Sequence, residues 1–161
     1  MGYIENNLMN DEEVVIVVKL HPVILVGPAM MFSFLLGTFS LVQDEPVLLI
    51  PVLVFLAYSG FRLLQRLLYY VTTEYGITSK RVLGKTGFIW RRSLDIVLAK
   101  VEAVRLNQSI FGRMLNYGTI DVTGSGGTAE KLRYIPDPLS FRNSIQQQLS
   151  DENQSESASN S

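Results

Sequence analysis

PVILVGPAMMFSFLLGTFSLV (Pro22 to Val42) and PVLLIPVLVFLAYSGF (Pro46 to Phe61) decide how this chain is read. The first carries no charged side chain over roughly 21 residues, which matches the hydrocarbon core of a bilayer. The second is uncharged for about 16 residues and reaches spanning length by continuing through Arg62 and Arg66 to Leu68. Only Gln43, Asp44 and Glu45 separate the two limbs. The pattern predicts a transmembrane hairpin over 22–70, with spans at 22–42 and 46–68. A cleavable signal peptide is excluded, because the residues before the first limb are acidic and the apolar run is too long.

Orientation follows from the flanks. The connecting turn has no Lys or Arg, whereas Lys19 precedes the hairpin and Arg62, Arg66, Lys80 and Arg81 follow it. The positive-inside rule then places both termini in the cytoplasm and the chain in the cytoplasmic (inner) membrane as a multi-pass protein. Within the first span Ala29, Ser33 and Gly37 recur every four residues, and the second span offers Ala57 and Gly60. Small residues at that spacing let helices approach closely in lipid. The stripe serves either the contact between the two spans or contact with another copy or a membrane protein partner. Pro28 and Pro51 each remove a backbone bond and are expected to bend their helices.

The remainder is polar enough for one small soluble domain. The chain has 161 residues, a net charge of −1, no cysteine and one histidine, His21. This balance gives no field to draw nucleic acid. It also excludes disulfides, thiolate metal sites, cysteine nucleophiles and multi-histidine metal centres. No cofactor is implied.

Residues 1–21 read as an N-terminal cytoplasmic segment. In it VVIVVKL (Val14 to Leu20) is almost wholly β-branched, which favours a strand of the soluble domain over a lead-in to the first helix. After Tyr70 the chain turns to short strands separated by glycine and polar turns: 70–78, 81–85, 88–97, 100–108, 118–124 and 129–135. Ser125-Gly126-Gly127-Thr128 reads as a hairpin turn, and Ser109 to Asn116 as an irregular or single-turn helical connection. Asp137 and Pro138 start a helix whose Phe141, Ile145 and Leu149 form one apolar face. Residues 70–150 are therefore expected as an α+β domain, an antiparallel β-barrel or sandwich capped by the C-terminal helix. Residues 151–161 have nothing apolar to bury and read as a disordered tail.

Chemistry-bearing patterns are few. Gly124-Ser125-Gly126-Gly127 lacks the Lys-Ser/Thr and strand-to-helix context of a phosphate loop. Asp11, Glu12 and Glu13 lack a calcium loop and read as solvated charge. No nucleophile, base and oxyanion constellation is visible, so the chain is read as non-enzymatic. The one candidate binding feature is the basic set Lys80, Arg81, Lys85, Arg91 and Arg92. Its two readings are a patch for anionic lipid or a partner, and a solvated face that also sets topology. Trp90 beside it reads as packing.

The stretches YGITSKRVLGKTGFIWRR, IVLAKVEAVRLNQSIFGRMLNYGTIDVTGSGGT and IPDPLSFRNSI together resemble the bacterial pleckstrin-homology-like domain of YdbS-type membrane proteins. GYIENNL, Glu13 and the His21-Pro22 pair extend the resemblance upstream. It implies a pleckstrin-homology-like barrel behind a membrane hairpin and no catalytic residues. In eukaryotic relatives basic residues on the first strands and their loop bind phosphoinositides, and Ser79, Lys80, Arg81 and Lys85 fall in the corresponding region. The expected partners are the bilayer, anionic phospholipid headgroups, and membrane proteins or a second copy. The expected role is a membrane-anchored binding or scaffold module, with a subunit of a larger membrane complex as the first alternative and an enzyme as the weaker one.

Overall fold

The computed structural model describes residues 4, 8, 9, 12–87, 92–125, 127 and 129–159. The chain divides into two compact units, an apolar helical pair over Pro22–Val71 and a β-rich unit built from the segments on either side of it.

In the β-rich unit four strands form one antiparallel sheet in sequence order: β1 (Val14–Lys19), β2 (Glu74–Thr78), β3 (Arg81–Thr86) and β4 (Arg92–Val97). Lys19 pairs with Glu74, so the helical pair is an insertion between β1 and β2, two adjacent strands of that sheet. A short 3₁₀ turn, Leu98–Lys100, leads into a second antiparallel sheet of β5 (Val101–Asn107), β6 (Tyr117–Gly124) and β7 (Ala129–Pro136). The two sheets do not join into a closed barrel, which corrects the barrel expected from the sequence. Among the described residues β4 is not paired with β5: it leaves through the 3₁₀ turn, where Leu98 N–H bonds back to Lys80 O.

Alternation builds the core. Along β6, Gly118, Ile120 and Val122 are buried while Thr119, Asp121 and Thr123 are more open, the period of a strand with one covered face. Ile77, Val82, Leu98, Leu132 and Ile135 join them, each fully buried. Ile4 is fully buried as well and lies over β2, where a Cβ on Gly76 would collide with its side chain. The terminal helix α4 starts at Pro138, whose preceding residue Asp137 accepts Phe141 N–H through its carbonyl. Phe141 and Ile145 are buried, and α4 packs on β5, β6, β1 and the 3₁₀ turn.

One boundary differs from the sequence reading. The helix runs through Ser159, whereas residues 151–161 read as a disordered tail. The segment contains no proline or glycine to stop a helix already started at Pro138.

The helical pair comprises α1 (Val23–Leu41, 19 residues) and α2 (Pro46–Thr72, 27 residues). At 1.5 Å per residue these are about 28 and about 40 Å long. Both continue through their internal prolines, Pro28 and Pro51. Ser59 is buried, and the Phe32 ring lies over Gly60, 3.3 Å from where a Cβ would stand.

Candidate functional site

The described members of the basic set stand at two ends of the first sheet. Lys80 and Arg81 lie at the β2–β3 turn, the end of the sheet remote from the Lys19–Glu74 pair. Lys85 pairs with Glu74 and Arg92 with Thr86, at the other end of the strands. The rise of a strand separates positions 81 and 85 by about 14 Å. Arg91 and Trp90 lie outside the described residues. Ser79 and Lys80, which the resemblance puts in the lipid-contacting region, form the β2–β3 turn, with Arg81 and Lys85 on β3 beyond it.

Arg81 is already committed. Its Nε and Nη2 donate to the two carboxylate oxygens of Glu12, each at 2.8 Å, and Nη1 donates to Asp95 at 2.6 Å. Glu12 also accepts from the Thr78 hydroxyl at 2.6 Å and from Met9 N–H at 2.7 Å. The Glu12 side chain is fully buried. The guanidinium fork and the two further donors outweigh the desolvation of burial and hold its carboxyl at about 2, well below the usual 4.5. Glu12, read from sequence as solvated, is thus the centre of a buried bidentate ion pair.

The small-residue stripe divides too. Gly60 packs against α1 through Phe32, and Ala29 is half-buried. Ser33, Gly37 and Ala57 are exposed, with nothing within 4 Å of a Cβ placed on Gly37.

A different set of polar residues does converge. The outer face of the second sheet carries Arg105 and Asn107 on β5, Thr119 and Asp121 on β6, and Lys131 and Arg133 on β7. Register places Arg105 opposite Asp121 and Asp121 opposite Lys131. Asn107 donates to Asp121 Oδ2 at 2.8 Å, while Asp121 Oδ1 is buried with no hydrogen-bond partner. These residues, except Arg105, line a cavity of about 550 Å³ rimmed by Gln108, Ser109, Tyr117 and Tyr134. No histidine or cysteine lines it. Amides, hydroxyls, two aromatic rings and a cationic excess suit holding an anion. In the sequence the sole signal was Lys131-x-Arg133, whose spacing of two puts both cations on one face of a strand.

Next to this cavity stands a short helix, α3 (Ile110–Met114), between β5 and β6. Ser109 caps it by accepting Gly112 N–H at 3.0 Å, and the Gln108 amide donates to Gly112 O at 3.1 Å and Tyr117 O at 3.2 Å. Gly112 is required there, since a Cβ would stand 2.7 Å from Tyr117 O. Asn116, at φ 53°, turns the chain out into β6.

A four-stranded and a three-stranded antiparallel sheet closed off by a C-terminal helix define a pleckstrin-homology-like domain. The bacterial PH domain profile matches residues 22–149, well over half of the chain, and the chain belongs to that family. No curated protein and no solved structure matches it. The matched region includes the helical pair and begins after β1, the strand that completes the first sheet. PH-like domains are generally non-catalytic and bind lipids or proteins.

Proposed function

We propose that α1 and α2 anchor this chain in the cytoplasmic membrane, with the β-rich unit on the cytoplasmic side as a non-enzymatic binding or scaffold module. One observation carries the reading. Of the residues in the two helices only Ile24 and Ser59 are buried, while Phe34, Leu41, Val47, Ile50 and Val54 are more than half exposed. Helices that hold their large apolar side chains outward all round are suited to lipid, not water. Both are long and apolar enough to cross a bilayer. The basic flanks and the acidic turn at Asp44-Glu45 support the cytoplasmic orientation. Membranes from cells carrying the chain, washed in alkaline carbonate, should retain it in the pellet until detergent is added. Release into the carbonate supernatant would refute the anchor.

A second reading, docking into a larger membrane assembly or a second copy, is favoured by the exposure of Ser33, Gly37 and Ala57. Gly37→Leu should then reduce co-purification in mild detergent without altering carbonate resistance. Unchanged co-purification would remove this reading.

A further inference from the structure

The cavity on the outer face of the second sheet is shaped by a break in strand alternation. Gly118 pairs with Ile135 and Ile120 with Leu132, so Thr119 faces two residues, Arg133 and Tyr134. That is a bulge in β7. Neighbouring strand residues ordinarily point to opposite faces, yet Arg133 and Tyr134 both line the cavity. Tyr134 holds φ at 58°, a left-handed conformation that a bulky residue rarely adopts. Its ring stacks on Tyr117 with centroids 6.3 Å apart, and Tyr117 stacks in turn on His21 at 5.4 Å. A strained backbone is thus held where it raises an aromatic wall at the α3 end of the cavity.

The polar groups are sorted along the same face. At the α3 end, Asn107 donates to Asp121, and the Gln108 amide donates to Gly112 O and Tyr117 O. The side-chain oxygens of Asn107 and Gln108 are left as acceptors beside the rings. Further along, Lys131 stands opposite Asp121, with Arg133 next on the same strand toward Tyr134. Among the described residues neither cation forms an ion pair. Asp121 Oδ1, between the two ends, is buried without a hydrogen-bond partner, an acceptor that the fold itself leaves unmet. From Tyr134 to Lys131 the strand covers about 10 Å.

We propose that this cavity is a nucleotide site. The base lies against the tyrosine wall, where the Asn107 and Gln108 oxygens accept from its exocyclic amine. Asp121 accepts from a ribose hydroxyl, and Lys131 and Arg133 hold the phosphates. Aromatic wall, carboxylate and cations follow one another along the face as base, ribose and phosphates do in a nucleoside diphosphate. A bare anion would use the cations alone, and a polyol phosphate would leave the rings idle. The inference rests on the binding-module reading above and not on the anchor.

Titration calorimetry on the full chain in an uncharged detergent tests it, with ADP, UDP and inositol trisphosphate as probes. ADP should bind. UDP, whose base has no exocyclic amine, should bind about fivefold more weakly. Inositol trisphosphate, which brings no base to stack, should bind about tenfold more weakly than ADP. Tyr134→Gly suits a φ of 58° and so keeps the bulge while removing the ring, and it should weaken ADP about tenfold or more. Lys131→Gln/Arg133→Gln alters two exposed side chains and should weaken ADP about tenfold or more with Tm unchanged. Inositol trisphosphate binding as tightly as ADP would overturn the nucleotide in favour of phosphate recognition alone, and so would ADP affinity that survives Tyr134→Gly. UDP binding as tightly as ADP would overturn the amine contact. A chain that binds no ADP yet stays with carbonate-washed membranes would overturn the site and leave the anchored module standing.

Discussion

Glu12 and Arg81 lie 69 positions apart and meet because β1 and β2 pair across the helical insertion. Removing one partner of a buried pair leaves the other charged and unsolvated, which costs about 3–5 kcal/mol. Arg81→Ala should cost that much in unfolding experiments on the full chain in detergent, far above the ~0–1 kcal/mol typical of a surface ion pair. The pH dependence follows from the carboxyl's lowered value. With its folded-state pKa near 2 against 4.5 when unfolded, Glu12 contributes stability that is fully present above about pH 4.5. That contribution is lost progressively as pH falls toward 2, and it amounts to about 3 kcal/mol. Glu12→Gln should flatten the stability profile over that window while lowering stability at pH 7. An unchanged acid limb in Glu12→Gln would show that other carboxylates govern it.

At the scale of elements, α4 closes the β-rich unit through a ring that is 1% exposed, Phe141. Phe141→Ala should cost roughly 3–5 kcal/mol through lost burial and the cavity left behind, read as a lower melting temperature by circular dichroism. Ile145, fully buried one turn further on, belongs to the same face. This helix was legible because a proline start and a spacing of four are local signals. So were the strands: the β-branched run at Val14 and the alternation of Gly118, Ile120 and Val122 need no tertiary information. The basic surface was not legible in the same way. Lys80, Arg81 and Lys85 are neighbours in sequence, but the extended run of β3 carries Lys85 to the far end of the sheet from Lys80 and Arg81, and the partner that claims Arg81 comes from a distant segment. Nor was the exposed face of α3, since Ile110, Phe111 and Met114, each more than half exposed, carry no mark that distinguishes a displayed side chain from a core one. Only the hydrogen bonds that let the loop stand without a core make that difference.

At the scale of the molecule, a hairpin joins two adjacent strands of one sheet, so any membrane the helices cross must leave both strands on one side. Lys19 and Glu74 are paired, which binds the two ends of the hairpin to the same face and requires an even number of crossings. This is a stronger constraint than charge counting, because it comes from the hydrogen-bonded ladder itself. It makes the turn at Gln43-Asp44-Glu45 the one part of the chain expected on the far side. The most direct measurement is labelling of single cysteines with an impermeant maleimide in cells expressing the full chain. Gln43→Cys should react in intact cells, and Ser155→Cys only after the membrane is permeabilised. Reaction of Ser155→Cys in intact cells with Gln43→Cys protected would invert the orientation, and protection of both until permeabilisation would contradict the spanning hairpin.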